Sequence, residues 1–386
     1  ISPIQSGHRV FVHGGAATPS ELLDALVAEA PRRKDIEFIH LHTEGRAAHA
    51  DPAHAKSFRV ANLFVGANMR PYIDSERVDY VPCALSEIPK LFRSGRRKPD
   101  VALLHVSPPD SHGYCSLGVS VDVARAATDT AEIVIAQINP RMPRVHGDGL
   151  IHVSQIHHAF EVDRPLPEKR GCETSPDLLA IGRNAASIID DGACIQVGIG
   201  SIPDAVLDAL HGHRHLGIHS EMWSDGALKL IRSGAVDNSR KVVHPGKSVS
   251  SFVMGTQSLY SFVHDNPAVI QMGTDYVNNP AIIARNPNVV SINSALEVDL
   301  TGQVCADSVG HRVISGVGGQ MDFVRGATLS PGGKAIIAIT SRSQKGFPRI
   351  VATLRAGAGV VTGRAHVQFV ITEYGVADLF GLTLNE

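Results

Sequence analysis

Residues 191–226 read DGACIQVGIGSIPDAVLDALHGHRHLGIHSEMWSDG. The spacing predicts a strand over Ala193–Val197, a glycine turn at Gly198 and Gly200, a helix opening at Pro203, and a second strand over Leu216–His219 that delivers one carboxylate, Glu221. A strand that breaks into glycines and restarts as a helix leaves backbone N–H groups at the positive end of a dipole, which suits a phosphate or an oxyanion. Glu221 then stands at the mouth of the same crevice.

Working outward, the same unit recurs. Residues 7–26, GHRVFVHGGAATPSELLDAL, run strand, glycines, Pro19 and then LLDAL, where residues 192–210 run strand, glycines, Pro203 and then VLDAL. His42-Thr43-Glu44 after the next strand matches His219-Ser220-Glu221. Further on, each copy has a buried strand followed by D-x-x-G, at Asp110–Gly113 and Asp299–Gly302. This is an internal repeat of one α/β unit. Strands alternating with helical patterns imply an α/β fold with a mostly parallel open sheet in each half, and ligands in such sheets bind off the carboxyl ends of the strands, where Glu44 and Glu221 both fall. The proline- and charge-rich segment 161–177 reads as a linker, so the expected domains are residues 1–165 and 176–386, with the second opening on a helix near Pro176.

Composition narrows the function classes. A chain of 386 residues, 43% hydrophobic, is long enough for two cores, since single cores stop growing at roughly 250–300 residues. The apolar runs are far shorter than the ~20 residues that cross a bilayer, and nothing at the start resembles a signal peptide. Net charge of −2 with mixed signs excludes the basic stripe of a nucleic-acid binder. Five scattered cysteines (Cys83, Cys115, Cys172, Cys194, Cys305) without a CxxC fit a reduced, cytoplasmic protein better than a disulfide scaffold or zinc site. The chain opens on Ile1 and stops after a loop-like LFGLTLNE, which predicts trimming at the ends.

The chemistry-bearing candidates follow from the repeat. Glu221 follows the turn GIGSI, whereas Glu44 follows HGGAAT, longer by one residue; a duplicated fold needs only one nucleophile in a shared cleft, so Glu44 takes a structural or rim role. The turn lacks both GxGxxG spacing and a P-loop GK[ST], which disfavours NAD and ATP. A second glycine cluster, SGVGGQMDF at 315–323, is either a loop needing positive φ or a set of N–H donors for a tetrahedral oxyanion. Lys345 could reach a phosphate. His211, His213 and His215 lack a nearby carboxylate or cysteine and read as an exposed loop, so no metal is expected.

GIGSIPDAVLDAL, IHSEMWSDGALKL, TDYVNNPAIIARNPNVVSINSALEVDLTGQV and SGVGGQMDFVRGA resemble, in that order, the acetyl-CoA hydrolase/transferase family, most closely its 4-hydroxybutyrate and butyryl-CoA:acetate CoA-transferases. The resemblance covers nearly the whole chain, except that the helix expected after TEYGVADLFGLTL is missing. It implies two similar open-sheet α/β domains with the active site between them. It also implies that Glu221 forms a glutamyl-CoA thioester, that Gly198, Ile199, Gly200, Ser201 and Ile202 contact coenzyme A, and that Leu296, Gly319, Asn278 and Lys345 add further contacts. Coenzyme A esters are then substrates, not a resident cofactor, with short-chain acids such as acetate, butyrate or 4-hydroxybutyrate as partners. Two readings compete: hydrolysis, in which water intercepts the glutamyl intermediate, and a metabolite-binding module without turnover. A homodimer is the default assembly.

Overall fold

The computed structural model describes residues 1–73, 76–171 and 174–386, so Cys172 lies outside the described residues. The first half builds a seven-stranded sheet from β1 (Arg9–Val12), β2 (Ile36–His40), β3 (Phe58–Asn62), β4 (Val78–Tyr80), β5 (Val101–Val106), β6 (Ile133–Ile138) and β7 (His158–Glu161). Its order is β7-β6-β5-β1-β2-β3-β4, and every neighbouring pair is parallel. The second half supplies β8 (Cys194–Val197), β9 (Gly217–Ile218), β10 (Ser248–Ser250), β11 (Val269–Gln271), β12 (Val289–Ser294), β13 (Lys334–Ala338) and β14 (Phe369–Thr372).

The repeat holds strand for strand. β14-β13-β12-β8-β9 pair in parallel in that order, a parallel bridge from His219 to Val249 carries the arrangement on to β10, and β10 pairs with β11. Each strand of the first half therefore has a counterpart seven labels on. The two D-x-x-G segments are also the same device: Asp110 accepts from the amides of His112 and Tyr114, Asp299 from those of Thr301 and Gln303, and Gly113 and Gly302 sit at φ +82° and +83°. That left-handed conformation is what glycine supplies without strain.

Two features depart from a plain duplication. Gly375–Asp378 (β15) turns back antiparallel on β14 and closes that edge of the second sheet. At the other edge His146–Gly147, from the first half, pairs in parallel with β11. One apolar cluster likewise joins first-half Ala16, Ala17, Val119, Met142, Val145 and Leu166 to the second-half helices Pro176–Ala186 and Ser201–Ala209. The core thus runs across the segment read as a linker. No described helix is long and apolar enough to cross a membrane.

Candidate active site

The site is built at the carboxyl end of β8. The helix after it begins at Ser201, two residues before the expected Pro203, because Gly200 at φ +123° makes the turn and Ser201–Ala209 follows at once. The next strand is shorter than expected, Gly217–Ile218, and Ser220 ties its extension back to β8: the Ser220 hydroxyl donates to Val197 O at 3.1 Å and accepts from Val197 N at 3.2 Å. The Glu221 carbonyl accepts from Ser251 N at 2.8 Å and Phe252 N at 3.2 Å. From this anchored backbone the Glu221 side chain projects into the crevice.

Two cavities meet at that side chain. One, of about 280 Å³, is bounded by Gly198, Gln196, Asn293, Leu296, Gly316 and Gly319. The other, of about 560 Å³, opens toward the first half between His42, Glu44, Asn68, Ile199, Phe252 and Met254. Among the described residues, Glu221 is the only titratable one that lines both. Its Oε2 accepts from Asn278 Nδ2 at 2.9 Å. Burial pushes its pKa up to about 7, against the opposing pull of the Asn278 amide, while the charges of Asp322 and Asp122 push the same way as burial. A carboxyl group poised near neutrality at the base of a cleft has the properties of a nucleophile or a general base.

The sequence-predicted residues divide in three. Gly198, Leu296 and Gly319 line the smaller cavity and Asn278 holds Glu221 from behind. Ile199 faces the larger cavity and Gly200 an adjoining pocket, whereas Ser201 at the helix start and Ile202, which is buried in the core, line none of these cavities. Lys345 stands apart, exposed on the loop between Ser341 and Arg349, and lines neither cavity. The histidine triplet disperses: His211 bonds Asp208 O, His213 bonds Ile189 O and His215 bonds Asp237.

The second glycine cluster is a close-approach loop on both sides. A Cβ on Gly319 would run into Glu221 Oε2 and Asn278 Nδ2, and one on Gly316 would stand 2.9 Å from the Phe64 ring. The first half also grips this loop through its backbone: Val65 N donates to Ser315 O, Leu85 N donates to Gly318 O at 3.0 Å, and Val317 N donates to Tyr80 Oη at 2.8 Å. Asp322, three residues beyond Gly319, accepts from Ser86 and Asn278. It lay within the SGVGGQMDF stretch without drawing notice. Its acidic side chain on a helix that packs against the core was the available signal; Phe64 and Ser86 carried none.

An α/β protein of two like halves, with a buried glutamate at the junction of two cavities, has the layout of a protein that binds or transforms a small molecule in a cleft. Comparison with known proteins narrows this. Residues 1–169 match the acetyl-CoA hydrolase/transferase N-terminal domain and residues 255–386 the C-terminal domain of the same family. The chain is 48% identical, over its full length and 90% of the relative, to 4-hydroxybutyrate coenzyme A transferase of Clostridium kluyveri. It is 46% identical, over 99% of its length and 81% of the relative, to succinyl-CoA:acetate/propanoyl-CoA:succinate CoA transferase of Fasciola hepatica. A solved 4-hydroxybutyrate CoA-transferase of Porphyromonas gingivalis superposes over the whole chain and 89% of that structure with a TM-score of 0.85 at 39% identity. The chain belongs to the acetyl-CoA hydrolase/transferase family.

Proposed function

We propose that the protein is a CoA-transferase that moves coenzyme A between a short-chain acyl-CoA and a free carboxylate, with Glu221 as covalent nucleophile. The observation that carries this is the position of Glu221 as the one titratable side chain, among the described residues, common to both cavities. The thioester end of coenzyme A enters the smaller cavity past Gly198, Leu296 and Gly319, and the acyl group or incoming acid occupies the larger one. The relatives support acids such as 4-hydroxybutyrate, butyrate, succinate and acetate.

The Glu221 carboxylate attacks the thioester carbonyl, the C–S bond breaks, and a mixed anhydride and CoA thiolate result. The thiolate then attacks the glutamyl carbonyl and expels the acyl carboxylate, leaving a glutamyl-CoA thioester; the second acid runs the same steps backwards. No bond energy is lost to water, so no ATP is needed. Desolvation makes a carboxylate a competent nucleophile here, and alignment by Asn278 keeps it within reach. Four described cysteines are unpaired, which suits the reducing cytoplasm, and a two-fold homodimer is the assembly expected.

The test is to incubate the protein with butyryl-CoA, treat it with borohydride, and locate the modified residue by mass spectrometry. A reducible adduct at Glu221 that is absent from Glu221→Ala, with CoA passing to added acetate, supports the reading. CoA release without an acceptor acid converts it to hydrolysis, and an adduct elsewhere overturns the assignment of the nucleophile.

A further inference from the structure

Behind Glu221 lies a chain of polar groups that crosses from one half of the protein to the other. Asn278, fully buried, uses one nitrogen twice: Nδ2 donates to Glu221 Oε2 at 2.9 Å and to Asp322 Oδ2 at 3.4 Å. Its Oδ1 has no hydrogen-bond partner among the described residues. Asp322, also buried, is held in turn by the first half, since Ser86 Oγ donates to its Oδ1 at 2.7 Å and Ser86 N to its Oδ2 at 3.1 Å.

An amide beside a single carboxylate is already biased to present its nitrogen, yet Asn278 leaves a buried carbonyl oxygen unpaired to do so, which is unfavourable. With acceptors on both sides of Nδ2, both N–H groups are used and the flipped amide would set Oδ1 against two carboxylates. Asp322 therefore selects the orientation in which a donor faces Glu221. We propose that Asp322 is a positioning residue for Glu221, acting through Asn278, and that Ser86 lets the first half of the chain hold it there. The inference rests on Glu221 being the nucleophile. It adds that the first half of the chain, not only the second, sets the geometry of the reacting carboxylate.

The discriminating readout is the pH midpoint of carbodiimide labelling at Glu221, followed by peptide mass spectrometry. It does not depend on turnover, so a chain that transfers no CoA would overturn the proposed function and still leave this result readable. Two influences on Glu221 oppose each other: the Asn278 hydrogen bond favours ionisation, and the weaker push of the Asp322 charge disfavours it. If Asp322 orients Asn278, Asp322→Ala removes both and the midpoint moves up. If Asp322 is only a nearby charge, the midpoint moves down, and the proposal fails.

In turnover with acyl-CoA and acetate, Asp322→Ala is expected to lower kcat by about tenfold or more, with KM for the acyl-CoA within about twofold. Asp322→Asn, which can still accept from Asn278, restores most of kcat. Ser86→Ala lowers kcat by a few-fold, and Ser86→Thr, which keeps the hydroxyl, restores it, a pair that decides the matter even if the alanine at 322 does not fold. An unchanged kcat in Ser86→Ala, or an Asp322→Asn variant as impaired as Asp322→Ala, overturns the proposal.

Discussion

In the first half the glycine turn after β1 closes on its own neighbour: Gly15 N donates to His42 O at 2.9 Å, and a Cβ on Gly14 would stand 3.0 Å from that same carbonyl. In the second half a Cβ on Gly200 would meet nothing within 4 Å and one on Gly198 only the ring of Pro203 at 4.0 Å. The carboxylates that follow differ in the same sense. Glu44 has its backbone N–H on Thr18 Oγ1 and its side chain on the wall of the larger cavity. Glu221 stands at the meeting of two cavities with a buried amide behind it. A duplicated strand–turn–helix unit thus keeps its backbone plan while one copy fills the space off the strand end and the other leaves it open, and the open copy is the one that can hold a ligand.

The comparison is broken most directly at Glu221. Glu221→Ala is expected to lower CoA transfer by about a thousandfold or more, as loss of a nucleophile does elsewhere, and to abolish the borohydride-trapped adduct. If Glu44→Ala did the same and Glu221→Ala did not, the two copies would have to exchange roles. Next in size, Gly319→Ala drives a methyl group into Glu221 and Asn278, and displacement of a reacting group by ~1 Å can cost about a hundredfold in kcat. Steady-state kinetics of the folded variant measure it.

Asn278→Ala sharpens the contrast through pH. Glu221 reacts as the carboxylate, so transfer should rise as pH passes through about 7. The Asn278 hydrogen bond lowers that pKa, so its loss moves the acid limb upward; activity falls by roughly tenfold at neutral pH and recovers in part at higher pH. A limb that moved downward would contradict the contact. The smallest effect belongs to the other copy: Glu44→Gln changes KM for the acid by a few-fold, and adduct formation at Glu221 survives. A trapping assay alongside initial rates separates the two.

The strand, the glycine turn, the helix and Glu221 were all legible because they lie within one local run of sequence, where hydrophobic period and glycine placement report directly on backbone shape. The repeat was legible for the same reason, twice over. Gly319 was named through the family resemblance; its cluster read as a loop of positive φ or a set of N–H donors, and the close approach to Glu221 and Asn278 is seen only in the structure. What could not be read was who makes that approach. Phe64, Tyr80, Leu85 and Ser86 reach the loop at residues 315–319 and Asp322 across more than two hundred positions of chain, and no local pattern in either segment announces the other. Lys345 shows the converse: its motif was visible, but its loop carries it to solvent.

The strand His146–Gly147 has a consequence for how the chain comes to be folded. It is made early in the chain, yet its partner is Val269–Gln271, so its hydrogen bonds wait until synthesis has passed well into the second half. Pairings of such long sequence separation form slowly, because loop-closure entropy is lost before the contact repays it. During that interval the first half carries an unsatisfied edge and an apolar surface around Met142 and Val145 that only the second half covers. Cutting the chain at the segment 161–177 would therefore leave two aggregation-prone fragments whose recovery depends on being made together.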